Sequence, residues 1–304
     1  MFSRRLFLAS SGAALWLPKM AVAQGGKPHF TLGVASGSPR PNSVILWTRL
    51  APEPLQGGGM PVGSAQVRYR VCSDEAMRNT LQDGVAETSD AKGHSVHVRI
   101  EGLKPGREYF YQFYYGDEES PVGRTRTSSP DDASAKIALA YCQHYETGRY
   151  AAYRDMADWL PDCVIHTGDY IYEGGVSPLG AKMRDVGGGE RRLFEIVRQH
   201  DGNEITSLWD YRNRYALYRS DPHLQAAHAC APWIVAMDDH EVDNNWAAQI
   251  PQDPEKQTPL EFQVRKYMAF KAYYEHMPIE QPPILRNMEP ALQMYGKYVF
   301  GPAQ

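Results

Sequence analysis

Between Phe30 and Thr127 apolar and polar residues alternate in short runs. Val67, Tyr69 and Val71 alternate with polar neighbours in "AQVRYRVCS", as do Val96, Val98 and Ile100 in "HSVHVRIEGL". The runs "SVILWTRL", "REYFYQFYY" and "GRTRT" are rich in Val, Ile, Tyr and Phe, and Gly, Pro and Asp turns separate them. Side chains on a strand change face at every residue, so this period predicts an antiparallel β-sandwich. "VASGSP" (34–39) lacks a Gly-x-Ser-x-Gly elbow and reads as a turn of that sandwich.

The period changes after the polar linker "SSPDDASA" (128–135). "KIALAYC" is apolar without alternation and predicts a buried strand. In "YAAYRDMADWL", Tyr153, Met156, Ala157 and Leu160 share one helical face, and Pro161 stops the helix. "CVIHTGD" and "APWIVAMDDHE" read as further strands. "TSLWDYRNRYALYR" reads as a helix with Leu208, Tyr211, Tyr215 and Tyr218 on one stripe and a Ser207-x-x-Asp210 capping box. "EFQVRKYMAFKAYYEHM" predicts a long helix ended by Pro278, and the Gly-rich stretch 174–202 reads as a loop. Strand–helix–strand order predicts a parallel α/β sheet. The expected architecture is two-domain α+β/α-β: a β-sandwich over 29–127 and an α/β domain over 136–304. A length of 304 residues agrees with about two domains.

The N-terminus changes the picture of where the chain works. Arg4-Arg5 precede a modest apolar stretch, and Ala21-Val22-Ala23 gives a small-x-small cleavage pattern. Residues 1–23 therefore read as a twin-arginine secretory signal, which predicts use of that export machinery and a periplasmic or secreted product. No later segment is apolar enough to span a membrane. Lys+Arg number 32 against 36 Asp+Glu with no basic block, which argues against a dedicated nucleic-acid binder. Cys72, Cys142, Cys163 and Cys230 allow one or two disulfides in an oxidising compartment, with Cys163 and Cys230 each placed before an apolar strand. Oligomeric state has no signal in the sequence.

Three predicted strands end in chemistry. The first ends in Tyr141-Cys142-Gln143-His144-Tyr145, the second in Gly168-Asp169-Tyr170-Ile171-Tyr172, the third in Asp238-Asp239-His240-Glu241 followed by Asn244-Asn245. Ligands of open α/β sheets bind at the carboxyl ends of strands. Asp169 and Tyr172 are three apart, a spacing that puts both side chains on one side of a tight turn. A buried carboxylate beside a phenol is costly unless a cation holds both, and the cation lowers the phenol pKa. Carboxylate and phenolate are hard donors suited to Fe(III), and Cys142 would add a thiolate. Taken singly, each feature also fits a turn, a core tyrosine, a buried thiol or a helix cap at Asp238 or Asp239; His144 and His166 read as structural.

"LGVASGSPRPNSVILWTRLAP", "CQHYETGRYAAYRDMA", "HTGDYIYEG", "YRNRYALYRSDPHLQAAHACAPWIVAMDDHEVDNNWA" and "YYEHMP" together resemble the alkaline phosphatase D family, the PhoD-type phosphatases and phosphodiesterases of the metallophosphoesterase superfamily. "GLKPGREYFYQF" is similar to the penultimate strand of fibronectin-type-III-like domains. The resemblance implies a small N-terminal β domain, a calcineurin-like metallophosphoesterase domain, twin-arginine export, Fe(3+) with Ca(2+), and hydrolysis of phosphate mono- and diesters. It also implies that Cys142, Asp169 and Tyr172 hold iron, that Asp169 bridges to a second ion, that Asp239 replaces a metal-binding Asn, and that His240 faces the substrate, with Asp238 and Asn245 as further candidate ligands. The family carries a later Gly-Asp-x-His stretch that this sequence lacks, so the metallophosphoesterase domain reads as incomplete. A truncated, catalytically inactive exported binding module is the alternative, and a nuclease or phospholipase variant on the same metal core is a third.

Overall fold

The computed structural model describes residues 26–185 and 189–301. The paired arginines and the expected cleavage pattern lie outside them. Strands β1 (Val34–Gly37), β2 (Ser43–Arg49), β3 (Ser64–Cys72), β4 (Thr80–Ser89), β5 (Ser95–Glu101), β6 (Glu108–Tyr115), β7 (Glu118–Glu119) and β8 (Gly123–Arg126) come first. β9 (Ile137–Ala140), α1 (Ala151–Trp159), β10 (Cys163–His166), β11 (Gly180–Asp185), β12 (Arg191–Ile196), α2 (Leu208–Arg219), α3 (Pro222–Cys230), β13 (Pro232–Val235) and α4 (Pro259–His276) follow, then the hairpin β14 (Ile284–Arg286) and β15 (Glu289–Ala291).

The β-rich half forms two facing sheets. One has the order β4-β3-β6-β7, with β8 also on β6, and every pairing is antiparallel. Val67, Val71, Tyr111 and Phe113 from it meet Val44, Leu46, Val96, Val98 and Ile100 from β2 and β5 in one apolar core. These are the alternating positions of the sequence, so the period of two placed them inward as expected. The second sheet does not stop at the end of this half. Its order is β5-β2-β1-β13-β10-β9, six strands drawn from both sides of the 128–135 linker. The seam is β1, paired antiparallel to β2 and parallel to β13, with Ser36 opposite Pro232 and Gly37 opposite Trp233. "VASG" is thus a strand and not a turn. Gly37 is required there, because a Cβ would meet Pro278 O at 2.3 Å and Trp233 O at 2.8 Å.

In the α/β half, β9, β10 and β13 run parallel. Val164, Trp233 and Val235 on one face join Tyr153, Tyr170, Tyr211, Tyr215, Tyr218 and Tyr273 in the second core. The stripe on α2 lies inward as its spacing predicts, and Ser207 and Asp210 make the reciprocal capping box. Thr258 and Glu261 cap α4 in the same way, and the helix starts at Pro259, two residues before the expected start. The α1 stripe holds only to Ala157. Leu160 lies past the helix end with φ 51°, capping it, and is exposed.

Three further expectations are corrected. The stretch 174–202 contains the β11–β12 hairpin, with Met183 opposite Leu193; its apolar positions are too weakly alternating to announce strands. "KIALA" lies at the sheet's edge with Ile137 and Leu139 exposed, not buried. The four cysteines form no disulfide: Cys72 lies in β3, Cys163 in β10 and Cys230 at the end of α3, all buried, while Cys142 is exposed.

Candidate metal centre

Main-chain hydrogen bonds first lash the strand tips together. Thr167 N–H donates to Ala140 O (3.1 Å), Ala236 N–H to His166 O (2.8 Å), Cys142 N–H to Gly168 O (3.1 Å) and Gln143 N–H to Asp169 O (3.1 Å). Gly168 lets the second tip touch the third. Its φ is +121°, and a Cβ would lie 2.5 Å from Asp238 N. Cys142 (φ 51°), Asp169 (φ 54°) and Asn245 (φ 54°) all hold left-handed backbone. Each such non-glycine residue costs of the order of 1–2 kcal/mol, and clusters of them mark sites where geometry outweighs local comfort.

Asp169 is the hub. Its Oδ2 accepts from Cys142 Sγ at 3.2 Å and from Tyr172 Oη at 3.0 Å. Asp169, Asp239 and His240 each bring one donor atom to within 4.8 Å of the others. Asp169 therefore belongs to both groups, the sulfur–phenol side and the carboxylate–imidazole side. Its second oxygen, Oδ1, is buried without a hydrogen-bond partner. Asp238 is exposed and meets the site through its backbone, its N–H bound by Glu241 (2.9 Å). Asn245 is exposed and donates its N–H to Asp239 Oδ2 at 2.6 Å. Asp238 and Asn245 thus border the cluster without joining the three-donor group.

Two carboxylates not assigned from the sequence complete the arrangement. Glu173, buried directly after Tyr172, binds His240 Nδ1 at 2.6 Å through Oε2 and accepts Asn244 N–H at 3.0 Å through Oε1. His240 Nδ1 is thereby engaged, and Nε2 is left for another partner. Glu241 lies beneath the turns, fully buried, and accepts the N–H groups of Tyr170 and Asp238. Their signal was an acid placed directly after an assigned residue, Glu173 after Tyr172 and Glu241 after His240. His144 and His166 lie outside the three-donor group. His166 is buried against Trp233, and the His144 ring stands 4.4 Å from that of Tyr172.

A sequence model described as PhoD-like phosphatase matches residues 137–304, and one described as the N-terminal domain of PhoD-like phosphatases matches residues 16–129. The chain belongs to the PhoD-like phosphatase family. It is 45% identical to alkaline phosphatase D of Bacillus subtilis (strain 168), over 99% of this chain and 52% of that protein. A solved structure titled "Structure of PhoD" superimposes with a TM-score of 0.81 at 44% identity, over 92% of this chain and 51% of that one. The chain therefore shares the α/β architecture of PhoD and spans about half the length of these relatives.

The electrostatics of this PhoD-like site weigh against negative charge on its thiol and phenol. Partial desolvation of the thiol, which the turn only half covers, pushes Cys142 up to about 11, with the Asp169 hydrogen bond adding to it. Burial and the same carboxylate raise Tyr172, and burial raises Asp169 itself. The Asp169 carboxylate thus opposes ionisation of the thiol and the phenol, while their hydrogen bonds to it favour its own charge against burial. A multivalent cation reverses each of these penalties at once. The orphaned Oδ1 and this mixed oxygen–sulfur set fit a highly charged transition-metal ion. Burial opposes charge on both His240 and Glu173, yet their mutual hydrogen bond prevails, raising the imidazole and lowering the carboxyl. Burial drives Glu241 up to about 8.

Proposed function

We propose that the chain carries the metal centre of an exported hydrolase of phosphate mono- and diesters. The observation that supports this best is Asp169, placed between Cys142 and Tyr172 on one side and Asp239 and His240 on the other, with one buried oxygen unpaired. Cys142, Asp169 and Tyr172 would hold Fe(3+). Asp169 and Asp239 would hold Ca(2+), with Asp238 and Asn245 at its border. Bound cations supply positive charge facing the phosphoryl oxygens and acidify water at moderate pH. Within this reading His240 is the catalytic side chain. Glu173 fixes its Nδ1–H, so Nε2 presents a proton or positive charge toward the departing alcohol oxygen. The Glu173–His240 pair also keeps the imidazole in one rotamer as that charge develops.

The strands over 29–127 serve here as a fibronectin-type-III-like support, 136–304 as metallophosphoesterase scaffold and 1–23 as a twin-arginine signal to the periplasm or beyond. The test is metal analysis with visible absorption on iron-loaded protein, alongside hydrolysis of bis-p-nitrophenyl phosphate. Iron retained with a visible tyrosinate charge-transfer band, lost in Tyr172→Phe, supports the assignment. A colourless iron complex with hydrolysis intact would remove Tyr172 from the ligand set, and neither iron nor hydrolysis would leave a binding role.

A further inference from the structure

Glu173 is gripped by two separate segments. Its main-chain carbonyl accepts Ile205 N–H at 3.0 Å, from the segment that leads into α2. Its Oε1 accepts Asn244 N–H at 3.0 Å, from the third strand tip, and its Oε2 meets His240 Nδ1. Residues 204–205 and 242–244 belong to no helix or strand, so no ladder fixes the distance between them. Side chains held by loops keep a precise place only where a second layer of contacts locks the loops.

One side chain of α4 spans the gap. Arg265 is buried. Its Nη2 donates to Ile205 O at 3.1 Å and to Glu204 Oε1 at 2.9 Å, and its Nη1 pairs with Asp243 Oδ1 at 3.2 Å. Its Nε donates to Tyr211 Oη at 3.0 Å, and that hydroxyl donates in turn to Val242 O. All three guanidinium nitrogens are thus used, and together they tie 204–205 to 242–243. These are the residues that hold Glu173 or directly adjoin them. A planar fork of donors can make this bridge; a single ammonium cannot. Arg212 makes the contrast. It forks onto Glu275 at the far end of α4, with two contacts of 2.6 Å, and joins α2 to α4 without touching either segment.

We infer that Arg265 is a positioning residue for His240: it sets the spacing of the two segments that hold Glu173, and Glu173 sets the imidazole. Arg265 does not touch the reacting atoms. Its effect on turnover rests on the role proposed above for His240; its effect on the imidazole does not.

The test uses the full chain with 15N-labelled histidine and chelator present. It follows the ring Nδ1–H of His240 by NMR, assigned by its loss in His240→Gln. Bound to Glu173, this proton exchanges slowly with water in the wild type. Arg265→Lys keeps a cation beside Asp243 but cannot bridge, so exchange should quicken about tenfold or more. Tyr211→Phe keeps the ring and removes only the hydroxyl, and should move the signal the same way even if Arg265→Lys does not fold. Arg212→Lys should leave it unchanged despite its own fall in Tm. In a Glu173→Gln background the Arg265 change should add nothing. A signal indifferent to both Arg265→Lys and Tyr211→Phe, or moved as far by Arg212→Lys, or still fully responsive to Arg265→Lys without Glu173, would overturn the inference. Hydrolysis of bis-p-nitrophenyl phosphate, measured alongside, should lose about tenfold in kcat with KM unchanged. Faster exchange with kcat intact would keep Arg265 as the positioning residue and overturn the catalytic role of His240 instead.

Discussion

Glu241→Gln isolates the contribution of a single oxygen. In the fold the Glu241 side chain is fully buried, one carboxyl oxygen accepting Tyr170 N–H and the other accepting Asp238 N–H. A carboxyl oxygen accepts a hydrogen bond whether or not it carries a proton; an amide NH2 does not. Glutamine has the same shape, so no cavity forms, and the change reduces to one buried N–H deprived of its acceptor. That costs about 1–3 kcal/mol. For a chain of this size each kcal/mol moves Tm by roughly 2–4 °C, which gives an expected fall of roughly 2–12 °C. Thermal melts of wild type and variant with chelator present measure it without interference from bound ions. Hydrogen exchange should localise the loss to the amides of Tyr170 and Asp238. A Tm unchanged within about 1 °C would refute the view that Glu241 ties the second and third strand tips together.

Three other outcomes follow from the same geometry. Gly168→Ala forces a Cβ to within 2.5 Å of Asp238 N at φ +121°, so it should destabilise by roughly 2 kcal/mol or more in urea melts and weaken metal binding. Glu173→Gln removes a charged partner from His240; turnover of bis-p-nitrophenyl phosphate should fall roughly 10–100-fold with KM little changed, and the His240 pKa measured by NMR should drop. Burial holds His166 neutral down to about 3 and His200 down to about 4, whereas the unfolded chain protonates near 6.5. The unfolded state thus binds more protons between those values, and each imidazole removes up to about 1.4 kcal/mol of stability per pH unit as the pH falls below 6.5. Urea melts across that range should show the slope, and His166→Phe, which keeps the stack on Trp233, should flatten it.

Much of this was visible in the residues because it depends on local period or spacing. Val67 and Val71 face inward because a strand alternates, Tyr211, Tyr215 and Tyr218 because a helix turns, and Tyr172 reaches Asp169 because they are three apart in a turn. What escaped depends on partners remote in sequence. β1 joins the two halves because β13, some two hundred residues on, pairs with the edge that β2 leaves open. Glu173 acquires its role only when the third tip brings His240 against it, 67 positions away. Exposure escaped as well. Ile137 and Leu139 have the composition of a buried strand, and composition does not reveal which strand will lie at an edge.

The parallel seam between β1 and β13 has a mechanical consequence. The rung beside Gly37 belongs to the very strand that delivers Asp238, Asp239 and His240. The N-terminal half is therefore a splint for the loop that carries these three residues rather than a passenger. Excising it would bare one side of β13 and let that loop fray. A shortened version of this protein needs a substitute brace along β13 before that loop can be expected to keep its shape.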